Sequence, residues 1–285
     1  LLGLAPATWA IARELYLEVA GLPLVCPHGH TDPRWFAENE AFADPTSLLI
    51  TPDHYLTRML YSQGVPMEAL GVRPLADVGG VAVVAEPREA WRTFAAHYHL
   101  FRGTPSGLWF NHELAEVFGL TTRLTADTAD AAYDHIAACL AEPGFRPRAL
   151  LDRFRIETIA TTDSPLSDLH HHRRLADDGL AGRVLPTLRP DSVVDPDHDG
   201  WAHNVERLGV LTGRDVTRWS DYLAALWERR QYTISLGATA TDHGHPSACT
   251  ADLDSAAAQQ LLDRALAGTL DAAGKEEFRG QMLTE

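Results

Sequence analysis

The stretch Leu22-Pro23-Leu24-Val25-Cys26-Pro27-His28-Gly29-His30-Thr31-Asp32 decides how the rest of the chain is read. Its apolar start predicts a short buried strand, with the His-x-His pair at that strand's C-terminal end. In extended backbone, residues i and i+2 face the same side, so His28 and His30 stand side by side. Two neighbouring imidazoles at a strand end are a ready pair of ligands for a divalent metal. Taken alone, the motif has a plainer alternative, a polar loop carrying two solvated histidines.

Working outward, the same kind of run recurs at Arg155–Thr162, Arg183–Leu188 and Tyr232–Thr239, with helical stretches between, one around Leu166–Asp177 and one ending in Tyr222–Arg230. This strand-then-helix order predicts a parallel sheet with helical crossovers. Each polar motif falls just after a strand: His28 and His30 after the first, then Asp163, then Arg189, then Asp242 and His243. Functional residues of a (β/α)8 barrel collect at such strand ends. An open doubly wound sheet would place its site similarly, but no Gly-rich phosphate or dinucleotide fingerprint follows a strand here. The expected fold class is therefore α/β, a partial (β/α)8 TIM-like barrel with a large helical insertion after the first strand.

The insertion is read from Arg88–Tyr98 and Ala129–Leu140, which carry helical patterns, and from breaks at Pro45, Pro52, Pro66, Pro74, Pro105 and Pro143. The expected organisation is an N-terminal helix and first barrel strand over 1–31, a helical subdomain over 32–150, and further β/α units over 151–285. About four strands are found where a barrel needs about eight. Helical patterns at Thr250–Ala267, stopped by Gly268, and at Asp271–Glu285 end the chain, the second without a closing cap. These features predict the N-terminal portion of a longer protein.

Composition narrows the function classes. A chain of 285 residues with 45% hydrophobic residues can bury a sizeable core. No apolar run approaches the ~20 residues of a membrane span. The opening run to Ala12 lacks a basic n-region and continues into Arg13-Glu14-Leu15-Tyr16-Leu17 as an amphipathic helix, so no signal peptide is expected. Cys26, Cys139 and Cys249 are few, odd in number and widely spaced, which favours a reducing, cytoplasmic setting over a disulfide framework. A formal charge of −15 argues against nucleic acid and anionic membrane surfaces as partners. A small anionic substrate remains open, provided that a local arginine receives it.

Several ordered motifs resemble the uronate (glucuronate) isomerase family of the amidohydrolase superfamily. They are His28-Gly29-His30-Thr31-Asp32-Pro33, Trp35-Phe36-Ala37-Glu38-Asn39, Thr51-Pro52-Asp53-His54-Tyr55, Ala160-Thr161-Thr162-Asp163-Ser164-Pro165, Pro186-Thr187-Leu188-Arg189-Pro190-Asp191, and Thr241-Asp242-His243-Gly244-His245-Pro246-Ser247-Ala248. The resemblance spans nearly the whole chain but covers only the first part of the family. It implies an aldose–ketose isomerase, an intramolecular oxidoreductase, acting on D-glucuronate and D-galacturonate. It also implies that His28 and His30 hold a divalent metal, zinc, that His54 and Arg189 bind the hexuronate, and that Tyr55 assists proton transfer. The resemblance further implies an Asp on a late strand, as metal ligand and base, with an Arg close after it, and both would lie beyond Glu285. A homo-oligomer stays open.

Other readings of these residues compete. Asp53 can N-cap a helix that begins at His54 and Tyr55. Arg189 can form an ion pair with Asp191 or Asp195 instead of clamping a substrate carboxylate. Asp163 reads better as a helix N-cap than as an acid, and Trp35 and Phe36 as packing or pocket wall. His243 is a candidate for lining the site. His97-Tyr98-His99 lies in a helical pattern, where i and i+2 diverge by about 200°, and His170-His171-His172 reads as a solvated cluster on a helix. A metal-dependent hydrolase of the same superfamily shares the His-x-His motif and is the alternative activity, with a non-catalytic metal- or sugar-acid-binding homologue as a third.

Overall fold

Three parallel strands, β1 (Leu24–Cys26), β2 (Ile156–Ala160) and β3 (Val184–Leu185), lie in the order β1-β2-β3. The computed structural model describes residues 5–73, 83 and 86–285; the break expected at Pro74 and the first residues of the opening run lie outside them. Leu24 pairs with Ile156, Val25 with Thr158 and Cys26 with Ile159, with an irregularity after Leu24. Ile159 and Ala160 then pair with Val184 and Leu185. Single bridges from Asp163 to Leu188 and from Leu188 to Thr241 carry the parallel pairing onward. Because all four passes run the same way, the segments that follow them emerge at one end of the sheet. The result is a helix-rich α/β architecture with few parallel strands.

Contacts divide the chain into two compact units, Leu1–Glu38 with Leu151–Glu285, and Asn39–Leu150. The sheet belongs to the first. One side of it packs through Phe36, Ala37, Leu151, Leu175 and Val184, so Phe36 is a packing residue, as its sequence context suggests. A larger core forms where helices Trp201–Thr212, Trp219–Ser235, Ser255–Leu266 and Ala272–Thr284 bury Trp201, Leu208, Trp219, Tyr222, Leu262 and Phe278. The carbonyl of Val193 accepts from both Trp201 Nε1, at 2.9 Å, and Tyr222 Oη, at 2.6 Å. These bonds tie the short helix Asp191–Val194, directly after Arg189, to the core. The Asn39–Leu150 unit is helical and has its own aromatic core of Trp91, Phe94, Tyr98, Phe101, Phe110 and Tyr133. Its helices Pro87–His97 and Ala129–Ala141 match the expected patterns closely and are locked by Trp91 Nε1 donating to Ala129 O at 2.8 Å.

Three expectations are corrected. The run Tyr232–Thr239 is not a strand: helix Trp219–Ser235 takes up its first half, the rest is turn and irregular backbone, and only Thr241 enters the sheet, as a single bridge. The β-branched residues there favour a strand, but tertiary contacts override that preference. Buried Arg229 donates to Pro165 O at 2.7 Å and Ser167 O at 2.6 Å, and Thr233 Oγ1 bonds back to Arg229 O at 2.9 Å. Gly237, at φ +101°, then turns the chain. Second, β1 is not buried, since Leu24 is 51% and Val25 62% exposed, because β1 is the edge of the sheet among the described residues. The helix Pro6–Val19 before it likewise buries none of its residues. Third, the helix expected from Leu166 starts at His170, after a turn in which Ser164 Oγ accepts from Leu166 N at 3.2 Å.

Candidate metal centre

β1 ends at Cys26, so Pro27 releases the chain and His28-Gly29-His30 turns across the sheet end. The two imidazoles meet edge to face, with centroids 5.0 Å apart. Gly29, between them, is held from the neighbouring strand, because Thr162 Oγ1 donates to Gly29 O at 2.7 Å. The place is tight as well: a Cβ on Gly29 would meet Ala160 O at 3.1 Å.

The third member comes from the last pass. Asp242 follows the bridge residue Thr241, and its N–H donates to Leu188 O at 3.0 Å, which fixes its backbone beside β3. Ligand atoms of His28, His30 and Asp242 all lie within 4.8 Å of one another, with His28 Nδ1 at 3.9 Å from Asp242 Oδ1. Two imidazoles and a carboxylate are a donor set that zinc accepts at catalytic sites with an open coordination position, so these residues fit a divalent metal. Sequence reading placed Asp242 after a strand yet gave it no role. Only the pairing of Thr241 with Leu188, a long-range contact, brings it beside His28 and His30.

Arg189 joins this carboxylate to another. Its Nε donates to Asp191 Oδ2 at 2.5 Å and its Nη1 to Asp242 Oδ2 at 3.1 Å. The hydrogen bond donated to Asp191 most of all, and the negative charges of Asp191 and Asp242, raise the pKa of the guanidinium further against the opposing effect of burial. The ion pair with Asp191 foreseen as an alternative is therefore formed, whereas Asp195 pairs with Arg279 at 2.9 Å. Asp163 is not a helix cap. It is buried and accepts the Thr161 hydroxyl at 2.6 Å, while Thr161 Oγ1 also lies 3.0 Å from His172 Nε2. Thr161 has one proton and gives it to the carboxylate, so the imidazole must donate. The expected solvated His170–His172 cluster is thus split: His170 is exposed against Asp168, and His172 is buried.

His243 is outside the His28 group. It lies 3.1 Å from Thr241 Oγ1 and lines a cavity of about 190 Å³ together with Leu188, Pro190, Trp227 and Arg230. Burial, and then the neighbouring His245, lower its pKa and favour the neutral imidazole. His54 and Tyr55 belong to the Asn39–Leu150 unit, where they open helix His54–Ser62. Asp53 caps that helix, accepting from Tyr55 N at 2.8 Å and Leu56 N at 3.2 Å, and the two rings lie 4.2 Å apart. Both side chains are exposed, Tyr55 by 65%.

A strand-end cluster of histidines and a carboxylate on a parallel sheet is a candidate metal centre of an α/β protein, and comparison with known proteins gives the family. A family model described as glucuronate isomerase matches residues 7–285. The uronate isomerase of Xanthomonas campestris pv. campestris (strain B100) is 55% identical over 280 residues, covering 98% of this chain and 59% of the relative. That of Rhizorhabdus wittichii is 55% identical over 279 residues, covering 98% and 58%. The crystal structure of glucuronate isomerase from Caulobacter crescentus superposes with a TM-score of 0.93 at 50% identity, over 99% of this chain and 58% of that one. The uronate isomerase of Thermotoga maritima gives a TM-score of 0.85 at 27% identity, over 96% and 58%. The chain belongs to the glucuronate isomerase family, and it spans about three-fifths of the length of these relatives.

Proposed function

We propose that the full-length protein carrying this chain is a uronate isomerase that interconverts D-glucuronate with D-fructuronate and D-galacturonate with D-tagaturonate. The observation that carries this reading is the convergence of His28, His30 and Asp242 at one sheet end, in a chain of this family. We read the parallel passes as part of a (β/α)8 barrel, with residues 32–150 as a helical insertion and a cytoplasmic setting consistent with three free cysteines.

The reaction moves one proton from C2 to C1 and one from the C2 hydroxyl to the C1 oxygen of the open-chain sugar through a cis-enediol, with no net gain or loss of electrons. It needs a base and an acid near the two carbons and stabilisation of the negative charge that develops on oxygen. Bound zinc would supply that stabilisation as a Lewis acid. His28, His30 and Asp242 would hold it, and Arg189 would keep Asp242 in place while presenting positive charge to the uronate carboxylate. His54 would orient the sugar, and the Tyr55 hydroxyl would take part in the proton transfer.

The test is NMR detection of ketose formed from each uronate by the full-length protein, together with its zinc content. His28→Ala and Asp242→Asn should each lose zinc and activity together. Retention of zinc and turnover in both variants would remove the assignment.

A further inference from the structure

We propose that the segment after Thr241 builds a second divalent-cation site, held by Asp191, His243 and His245 and distinct from the His28, His30 and Asp242 group. It concerns residues to which the isomerase reading gives no ligand role, and it stands whether or not that reading holds.

The first observation is His245. Both of its ring nitrogens are buried and have no hydrogen-bond partner among the described residues. A neutral imidazole carries one donor and one acceptor, and burying both without partners is rare enough to need an explanation such as a bound ion. The second is convergence, since ligand atoms of His245, His243 and Asp191 lie within 4.8 Å of one another. Zinc-class ions accept this set of two imidazoles and a carboxylate.

The third observation is that one construction occurs twice. His243-Gly244-His245 repeats the His-x-His spacing with a central glycine, and its rings meet at 5.5 Å and 76°, against 5.0 Å and 82° for His28 and His30. In each case the central glycine is the anchor. Gly29 is held through its carbonyl by Thr162. Gly244 instead donates its N–H to Asp191, at 3.0 Å from both carboxylate oxygens, so the histidine pair and the carboxylate are pinned together. The approach is close: a Cβ on Gly244 would press on the ends of the Arg189 and Asp191 side chains, so a larger residue there must push one or both aside.

Charge and donor capacity agree with this. Arg189 sits between Asp191 and Asp242, so the three side chains together carry a formal charge of about −1, and a cation beside Asp191 is not opposed by a local excess of positive charge. Asp191 has about four lone-pair sites, and Arg189 and Gly244 do not use them all. Its side chain is only 14% exposed, which limits competition from water.

The experiment is a zinc and cobalt(II) titration of the metal-stripped full-length protein, counting equivalents that survive dialysis and recording the cobalt absorption of each. The wild type should hold two equivalents, and His245→Ala and His28→Ala one each, with different cobalt spectra. Gly244→Ala, which leaves all three ligand residues in the chain but pushes on the Asp191 carboxylate, should weaken the same equivalent that His245→Ala loses, and circular dichroism will show whether each variant is folded. Two equivalents retained in folded His245→Ala, or none retained in folded His28→Ala, would overturn the proposal. A single wild-type equivalent lost in His245→Ala but kept in His28→Ala would keep this site and remove the first.

Discussion

Thr162 Oγ1 lies 2.7 Å from Gly29 O, a hydrogen bond between residues 133 positions apart that fixes the turn carrying both His28 and His30. It comes from the end of β2, the strand that pairs with β1, so the sheet itself sets where the two imidazoles stand. Ligand orientation at metal sites depends on such outer partners, whose loss typically costs about 10- to 100-fold in affinity.

Thr162→Val should therefore weaken zinc binding by about that factor, measured by competition with a chelator, while leaving the fold intact by circular dichroism. Thr162→Ser keeps the hydroxyl and should restore most of the affinity. Equal affinities across the three proteins would show that the turn holds its shape without this bond.

How much of this was legible in the sequence differs from residue to residue. The helices Pro87–His97 and Ala129–Ala141 were readable because their apolar spacing, and Pro143 just after the second, are local signals. His28 and His30 were readable because one short segment carries both. Asp242 was not, since its partners are more than 200 positions away and only sheet pairing through Leu188 and Thr241 brings it to them. Tyr232–Thr239 misled because its β-branched composition is a local preference, while the bonds from Arg229 to Pro165 and Ser167 that keep the region helical are long-range. His172 misled similarly: in sequence it is the third of a polar run, and its burial follows from which face of helix His170–Asp177 meets Thr161.

Gly107 tests the packing of the Asn39–Leu150 unit. A Cβ at this position would lie 2.2 Å from Phe101 O, a backbone atom that cannot swing aside. Alanine has the better helix propensity by about 1 kcal/mol, but overpacking costs about 1–3 kcal/mol and a backbone clash belongs at the upper end. Gly107→Ala should lower the melting temperature by several degrees, at about 2–4 °C per kcal/mol for a chain of this size. A rise would mean that the turn at Phe101 yields easily.

His172 should make stability sensitive to mild acid. Burial lowers its pKa from the ordinary 6.5, against the opposing pull of Asp163. The unfolded chain therefore takes up the proton before the folded one does. The contribution of this residue is complete above pH 6.5 and is lost as pH falls from there toward the depressed folded value. His172→Gln removes the titrating group, so its melting temperature should fall less than that of the wild type between about pH 7.5 and about pH 5. Parallel curves for the two proteins would assign the acid sensitivity to other groups.

Arg189 is where the structural and functional readings of one residue can be separated. Its guanidinium reaches Asp191 and Asp242 through different nitrogens, at 2.5 and 3.1 Å, a span that one ammonium cannot reproduce. In Arg189→Lys, Asp242 should lose its anchor, and zinc affinity should fall by about 10-fold, the low end for an outer partner of a metal ligand. If the guanidinium also receives the substrate carboxylate, the KM for uronate should rise in the zinc-saturated variant, where the loss of metal affinity no longer contributes. A hexose with a C6 alcohol in place of the carboxylate should show no comparable change, because it offers the guanidinium no charge to lose. Lower zinc affinity with an unchanged uronate KM at saturating zinc would confine Arg189 to holding the two aspartates and leave the carboxylate to another cation.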